Sequence, residues 1–430
     1  MNGGTSPPLI GYNFDCWIND DDDAEPPSEK EMVADHAHEH LSGGISDASN
    51  RQLPSLTPLR GIAALWVVLY HYCGTAQYLP NLDVTPHSYL ISKGYLAVDM
   101  FFMLSGLVMT HVYYRAFSES VGRHYRSFLV ARIARLYPLH VFILLLFVVT
   151  AAASQFMTGL ATGSFESIPL TGPRSLSAII ANMFMLQGLA AGELSWNYPA
   201  WSVSLEFVAY LAFPFALPAI MRAPNPVRLV LGAVLLAPLA WLAAHTKGDF
   251  DQWDGPITLV RCMPEFLLGT LLYFAFRDHG QRIWLSSDFG VLAALAATLI
   301  GLHVGAPDLL MVSLFAALIL LSVSNTGVFA KLVNTRPLIW LGEISYSLYL
   351  VHGLIKFATS KGLGAAGIQH TAALSKDQSF ALMMLMMALC ILAASATYSS
   401  IETVWRRHLR ALLGVGQNRE FARALGSRRA

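Results

Sequence analysis

The sequence contains ten apolar runs of about twenty residues each, the length of a helix that crosses the hydrocarbon core of a bilayer. They lie near 57–76, 94–113, 137–156, 199–220, 228–246, 258–276, 288–304, 308–326, 338–358 and 380–400. Hydrophobic residues make up 54% of the chain and charged residues only 13%, which argues against a soluble protein of two or three domains. The predicted fold class is all-α, a polytopic integral membrane protein with ten transmembrane helices.

One further apolar segment, SLSAIIANMFMLQGLA at 175–190, is short and carries Asn182 and Gln187. We therefore predict that it is re-entrant or interfacial. The distribution of Lys and Arg agrees, because with ten spans eighteen basic residues lie on the loops of one side and five on the other. An eleventh span would invert every later loop and remove that bias. Both termini are predicted to be cytoplasmic.

The two ends of the chain differ from the apolar region in composition. Residues 1–53 contain the acidic run Asp20–Asp23 and little apolar periodicity, so a disordered acidic cytoplasmic tail is expected there. The transmembrane domain is assigned to 54–405, and 406–430 to a basic cytoplasmic tail. The four cysteines have no metal-ligand or redox spacing, so they are interpreted as isolated thiols and no metal is expected.

Ionisable side chains inside apolar runs are expensive and therefore indicate function. Five of them, from five separate runs, fall about 7–10 Å below the same predicted membrane boundary when depth is taken from the helical rise. They are His71, Asp99, Glu206, Glu265 and His352. A shared depth predicts that they form an acid/base cluster near the extracytoplasmic face.

Arg60 lies at the opposite end of the first run, roughly 17 Å from His71 along the helix. Arg132 and Arg135 begin the third run on the same side of the predicted membrane. Three guanidinium groups in one place could hold phosphates by bidentate hydrogen bonds. The sequence thus predicts a phosphate clamp at the inner face and the acid/base cluster nearer the outer face, with a long ligand connecting them.

The chain carries six motifs in a defined order. They are LRGIAALWVVLYH with Arg60 and His71, YLAVDMFFMLSG at 95–106, RIARLYP at 132–138, WNYPAWSVSLEFVAYLAFP at 196–214, RCMPEFLLG at 261–269 and LGEISYSLYLVH at 341–352. In order and spacing, over about residues 55–410, the chain resembles membrane-bound acyltransferases of family 3, the group that contains bacterial sugar and lipopolysaccharide O-acetyltransferases. Ala97, Leu107 and Ala209 depart from the usual residues and look like packing changes.

The resemblance implies transfer of an acyl group, usually acetyl, from cytoplasmic acyl-coenzyme A to a hydroxyl of an extracytoplasmic glycan or lipid-linked sugar. It implies that Arg60, Arg132 and Arg135 hold the phosphates of coenzyme A while the pantetheine arm reaches His71. The expected location is the bacterial inner membrane. The expected partners are acyl-coenzyme A, the sugar acceptor and the lipid bilayer, without nucleic acid.

His71 is the predicted general base, since acyl transfer to a hydroxyl needs a group that titrates near working pH. Glu206, or alternatively Asp99, would orient it and stabilise the imidazolium. Asp99 could instead cap the start of its helix. Ser345 could donate to the oxyanion, carry a transient acyl group or only bond between helices.

Five further residues are candidates for the acceptor side of the site. Trp196 and Trp201 are interpreted first as an aromatic belt and second as a platform for a sugar. Asn197 and Tyr349, like Tyr346, could donate to an oxyanion. His352 could be a second acid/base group or a structural residue.

Arg261 and Glu265, four residues apart, could neutralise each other.

Two other classes of protein compete with the transferase. In a proton-coupled secondary transporter or exporter, the intramembrane His, Asp and Glu would form a proton relay. Such a relay needs no phosphate clamp, and matched broken helices in two halves are not visible. In a receptor or scaffold the buried charges would serve folding alone, which leaves their shared depth unexplained.

Overall fold

The computed structural model describes residues 53, 55–73, 78–165, 170–190, 195–246, 248–252, 255–280 and 282–412. Within these ranges all regular structure is helical, and they contain no strand. The predicted N-terminal tail lies outside them except for Leu53, and so does the C-terminal tail beyond residue 412. The all-helical prediction is confirmed.

The α-helices are α1 Leu56–Cys73, α2 Ala97–Glu119, α3 Val121–Thr162, α4 Leu176–Met183, α5 Trp201–Arg222, α6 Asn225–His245, α7 Leu259–His279, α8 Ile283–Ser286, α9 Asp288–Val304, α10 Asp308–Ser324, α11 Val328–Val333, α12 Arg336–Glu343, α13 Ser345–Ala365, α14 Lys376–Thr397 and α15 Thr403–Leu412. A turn of π-helix, Tyr398–Glu402, joins α14 to α15. Each predicted apolar run overlaps at least one of these helices.

Six helical segments of the described chain are long and apolar enough to cross a membrane: Gly94–Glu119, Val121–Thr162, Tyr198–Arg222, Asn225–His245, Gly255–His279 and Lys376–Leu409. Helices α12 and α13, bent by 64° at Ile344, make a seventh if they are counted as one span. Helices α9 and α10 are apolar but shorter. The chain is therefore a multi-pass membrane protein, and the full count of ten spans stays a prediction.

The segment 175–190 does not form a spanning helix, as predicted. Its helix α4 has eight residues, or about 12 Å. Met185 follows with a φ of 54°, in the left-handed region where the chain turns away. The segment is anchored by His140 Nε2, which lies 2.9 Å from the Asn182 carbonyl.

Helix α3 is longer than its apolar run, with 42 residues against the twenty of 137–156. At about 1.5 Å per residue it extends well beyond a hydrocarbon core of about 30 Å. The predicted run began too late because four arginines interrupt the apolar pattern in the sixteen helical residues before it: Arg123, Arg126, Arg132 and Arg135. Arg132 and Arg135 therefore lie within a continuous helix and are held rigidly.

Glycines set how closely the central helices approach. A Cβ at Gly106 would collide with the Phe266 carbonyl, and one at Gly269 with the Met103 carbonyl, so α2 and α7 cross in backbone contact. Gly61 and Gly342 bring α1 and α12 together in the same way. Small residues at helix crossings are the usual packing device in membranes, where apolar burial alone does not drive association.

The cysteines within the described ranges are isolated thiols, as predicted. Cys73, Cys262 and Cys390 are free and buried. Cys16 lies outside the described residues.

Candidate active site

The site is built around two histidines from helices that are far apart in sequence. His71 comes from the last turn of α1 and His352 from the middle of α13, and the His352 Nε2 lies 3.3 Å from His71 Nδ1. The ring centroids are 5.0 Å apart. The two predicted residues are thus brought together at one end of α1, called here the histidine end. Arg60 marks the other, arginine end.

A backbone carbonyl fixes the protonation pattern of His71. Its Nδ1 lies 2.9 Å from the carbonyl oxygen of Val67, one turn earlier on α1. A carbonyl only accepts hydrogen bonds, so Nδ1 carries the proton and Nε2 keeps its lone pair. The tautomer is assigned from this acceptor. His71 Nε2 is therefore available as a base.

Tyr198 closes one side of the histidine pair, and it was missed in the sequence. Its ring centroid lies 4.9 Å from that of His71 and 6.0 Å from that of His352. Its hydroxyl is buried without a hydrogen-bond partner among the described residues. Its place within the WNYPAW motif was the available signal. An aromatic residue next to a proline, however, is equally typical of a turn without a functional role.

Asn197 and Tyr349 lie beside the histidine pair. Their hydrogen bonds connect α13 to the turn before α5. The Tyr349 hydroxyl donates to the Pro199 carbonyl at 2.7 Å, and Asn197 Nδ2 donates to the Leu350 carbonyl at 3.3 Å. Gly353 permits this approach, because a Cβ there would lie 2.8 Å from Asn197 Oδ1. That oxygen has no partner among the described residues. The hydrogen bonds of both side chains are thus structural in this state.

The aromatic-belt interpretation is wrong for Trp196. Its side chain is only 4% exposed and its Nε1 has no described partner. Trp201 is half-buried, with the guanidinium of Arg261 5.8 Å from its ring centroid and the Phe102 ring 6.4 Å away. Both tryptophans pack inside the bundle.

Asp99 forms an ion pair with Arg261. The two carboxylate oxygens accept hydrogen bonds from Arg261 Nη2 at 2.6 Å and from Nε at 2.9 Å. Glu265 is fully buried beside them, with Asp99 as a close neighbour. The expected neutralisation of Arg261 by Glu265 is therefore corrected, since Asp99 makes the bidentate contact. Asp99 does not hydrogen-bond to His71.

Glu206 does not orient His71 either. Its Oε1 accepts a short hydrogen bond from the Ser105 hydroxyl and one of 2.5 Å from the Tyr210 hydroxyl. Arg60 and Arg132 both lie within electrostatic range of this carboxylate. The predicted acid/base cluster therefore divides into separate groups. The histidines stand apart, Asp99 and Glu265 surround Arg261, and Glu206 faces the arginines.

Arg132 is a buried cation to which no carboxylate of the described residues is bonded. It is 3% exposed. Its Nη1 approaches the Met109 sulfur at 3.3 Å and its Nη2 the Tyr113 hydroxyl at 3.4 Å, and Nε has no partner among the described residues. The rings of Tyr113 and Tyr210 flank it at 5.5 and 5.9 Å. A guanidinium with so few strong acceptors is poised for an anion.

Arg135 is engaged differently from the prediction. It forms an ion pair with Glu402 and lies 5.2 Å from the centroid of the Tyr346 ring. Glu402 also accepts a 2.9 Å hydrogen bond from Ser347. Sequence reasoning missed Glu402 because it lies just past the last apolar run. The π turn at 398–402 lets it point inward. The positive charge of Arg135 is therefore neutralised by Glu402 within the protein.

Arg60, Arg132, Arg135 and Arg406 still form one basic cluster. Arg60 and Arg406 are electrostatic neighbours of Arg135, and Arg406 is 6% exposed. Among the described residues, Glu206 and Glu402 are acidic groups that face these arginines. Within that part of the chain, four guanidinium groups stand against these two carboxylates at the arginine end.

Ser345 lies away from the histidine pair. It begins α13 seven residues before His352, about 10 Å along the helix axis. Its hydroxyl is buried without a described partner. Its neighbour Tyr346 donates to the Leu136 carbonyl at 2.7 Å, which places this turn against α3 and its arginines. Ser345 therefore does not share the location of the histidine pair.

Comparison with known families defines the class of protein. Residues 53–399 match the family described as the acyltransferase domain. The chain belongs to this family, acyltransferase family 3, and is an acyltransferase. No solved structure matches the chain significantly.

The chain is similar to Acyltransferase MdmB of Streptomyces mycarofaciens, with 25% identity over 83% of this chain and 92% of the relative. It is also similar to O-acetyltransferase OatA of Staphylococcus aureus strain NCTC 8325 and to the putative peptidoglycan O-acetyltransferase YrhL of Bacillus subtilis. Each is 25% identical, over 71% and 70% of this chain. The alignments cover 50% of OatA and 48% of YrhL, so the chain spans about half the length of these two relatives.

Proposed function

We propose that this acyltransferase moves an acyl group, acetyl in the first instance, from acyl-coenzyme A to a hydroxyl of a glycan or lipid-linked sugar. The donor phosphates bind at the arginine end, which faces the cytoplasm of a bacterial cell. The acceptor binds at the histidine end, which faces outward across the inner membrane. The relatives named as O-acetyltransferases support an oxygen nucleophile.

The observation that carries the proposal is the buried guanidinium of Arg132. Burying a cation costs several kcal/mol unless an anion or strong hydrogen bonds compensate it. Its described contacts are a thioether, a phenol and two aromatic rings, and the Glu206 carboxylate nearby bonds to hydroxyls instead. A phosphate would supply the missing acceptors with the fork geometry that guanidinium groups favour.

The distance between the two ends fits a long donor. Arg60 and His71 lie eleven residues apart on one helix, roughly 17 Å along its axis. A donor whose phosphates and reactive carbonyl are separated by an extended arm spans such a distance. Proton transfer alone would require no such spacing between a basic cluster and a base.

The chemistry at the histidine end follows from the tautomer of His71. Nε2 takes the proton of the acceptor hydroxyl as its oxygen attacks the thioester carbonyl, and the carbonyl oxygen becomes an oxyanion. Collapse re-forms the carbonyl, breaks the C–S bond and releases the coenzyme thiolate, which takes up the proton. During this cycle the Val67 carbonyl and His352 Nε2 face Nδ1 and stabilise the imidazolium.

The test uses membrane vesicles from cells that make the protein, supplied with acetyl-coenzyme A labelled in the acetyl group. We expect free coenzyme A to be released and label to appear on glycan or lipid-linked sugar. Vesicles containing His71→Ala provide the matched blank. Movement of the labelled compound across the membrane without coenzyme A release would favour the transporter and overturn the proposal.

A further inference from the structure

Beyond His352, one face of α13 carries polar residues toward its C-terminal end. Lys356 and Ser360 follow His352 at intervals of four, and residues four apart lie above one another on a helix. Each interval advances about 6 Å. The face therefore forms a stripe that leads away from the histidine pair.

Lys356 places a positive charge on this stripe next to the site. Its Nζ lies 5.1 Å from the centroid of the Tyr198 ring, and that ring packs 4.9 Å from His71. Lys356 is half-buried, and no carboxylate among the described residues forms an ion pair with it. A partly desolvated ammonium that contacts an aromatic ring, and no carboxylate of the described residues, has donors left for an anion.

A polar cavity of about 310 Å³ opens one turn farther along the stripe. Its polar lining comes from Tyr78, Ser360, Gln369, His370 and Thr371. The remaining described lining residues are apolar, and no Asp, Glu, Lys or Arg is among the described residues of the lining. The volume is in the range of small-ligand sites. A phenol ring with hydroxyl, amide and imidazole groups suits a compound rich in hydroxyls.

We infer that Lys356 and this cavity form one acceptor subsite, which takes a saccharide that bears a carboxylate or phosphate group. The polar cavity seats the sugar, and Lys356 binds the anionic group on the side of the histidine pair. The acylated hydroxyl is thereby directed toward His71 Nε2. The assignment to the acceptor rests on the proposed acyl transfer, whereas ligand binding here can be measured without turnover.

The experiment places a single thiol in the cavity by Ser360→Cys, with all four native cysteines changed to alanine or serine. Ser360 is exposed, so the thiol is open to a membrane-impermeant maleimide. The rate of modification is measured with glucose, glucuronate or glucose 6-phosphate present. We expect at least one anionic sugar to slow the reaction at a concentration about tenfold or more below that of glucose, since hydrogen bonds to charged groups are the stronger ones. Glucuronate and glucose 6-phosphate distinguish a carboxylate from a phosphate.

Lys356→Met should abolish the advantage of the anionic sugar, and Lys356→Arg should keep it. Lys361→Met is the matched control, because Lys361 lies on the same helix with its Nζ 5.7 Å from the Phe357 ring instead. Equal protection by glucose, or no protection by any of the sugars, would overturn the inference without any mutant. An advantage that survives Lys356→Met would do so as well. Acyl transfer in labelled vesicles is scored separately, so either proposal can fail alone.

Discussion

His352 Nε2 lies 3.3 Å from His71 Nδ1, although 281 positions separate the two residues in the chain. His71 Nδ1 donates toward Val67, so the facing nitrogen of His352 carries a lone pair. The second histidine therefore supports the first as an acceptor. The Val67 carbonyl takes the place that a carboxylate holds in a Ser-His-Asp triad, and His352 Nε2 is a second, longer acceptor. Among the described residues, no acidic side chain hydrogen-bonds to the predicted base.

We predict that His71→Ala lowers acyl transfer by at least about 10²-fold, the lower range for loss of a general base. Binding of acetyl-coenzyme A should be unchanged, because the arginine cluster lies at the other end of α1. Measuring coenzyme A release and acetyl-coenzyme A binding on the same preparation checks the loss of transfer and the unchanged donor affinity. Transfer at the wild-type rate would remove His71 as the base.

Arg132→Gln should raise the KM for acetyl-coenzyme A about 10- to 100-fold with a smaller change in kcat, since it removes charge-assisted hydrogen bonds. Arg126→Gln is the matched control, because Arg126 lies on the same helix and is exposed. Steady-state kinetics of both variants measure KM for acetyl-coenzyme A and kcat separately. A fall in kcat alone would contradict a role in donor binding.

Arg135 and Glu402 should matter mainly for stability. Glu402→Gln or Arg135→Gln leaves one buried charge without its partner, which typically costs about 3–5 kcal/mol. We expect each single variant to lower Tm in detergent and the double variant to recover part of the loss. If Arg135→Gln left Tm unchanged and raised the donor KM, Arg135 would return to the phosphate clamp.

Gly106→Ala should destabilise the protein strongly, because the added methyl meets the Phe266 carbonyl where α2 crosses α7. Gly362→Ala is the control, since a Cβ there has no atom within 4 Å and α13 is helical at that residue. The control should be neutral or stabilising by up to about 1 kcal/mol. Equal Tm values for the two variants would show that the crossing tolerates a wider separation.

Sidedness is tested with single cysteines in a background that lacks the native ones. Asp249→Cys should react with an impermeant thiol reagent in intact spheroplasts, and Arg123→Cys should react only after permeabilisation. The expectation rests on the bias of Lys and Arg between the loops. The opposite pattern would reverse the proposed orientation and place the donor site on the wrong face.

The sequence was sufficient to predict helices and the position of the non-spanning segment, and it placed His71 and His352 at a shared depth. Those predictions need only helical rise and the length of apolar runs. The sequence named Glu206 or Asp99, however, as the partner of His71. The depth of a residue in the membrane does not give the direction of its side chain around the helix. It could not show that Asp99 faces Arg261 rather than His71, because the direction of a side chain around its helix depends on how α2 and α7 cross.

Spacing within a helix also favoured the wrong partner for Arg261. Glu265 is four residues away, whereas Asp99 is 162 residues away, and sequence spacing ranks only the local pair. Glu402 was missed for a similar reason. Its inward direction comes from the π turn, which adds a residue to one helical turn and is not encoded in apolar periodicity.

The acceptor that orients the base is a main-chain carbonyl, and this has a genetic consequence. Every amino acid placed at position 67 supplies the same oxygen, so a scan of side-chain substitutions cannot reveal the contribution of that oxygen to catalysis. Replacing the preceding amide by an ester would not remove the carbonyl of residue 67 either. Only a change that unwinds the last turn of α1 would separate that oxygen from His71. The orienting element of this site is thus invisible to conventional mutagenesis and is inherited with the helix itself.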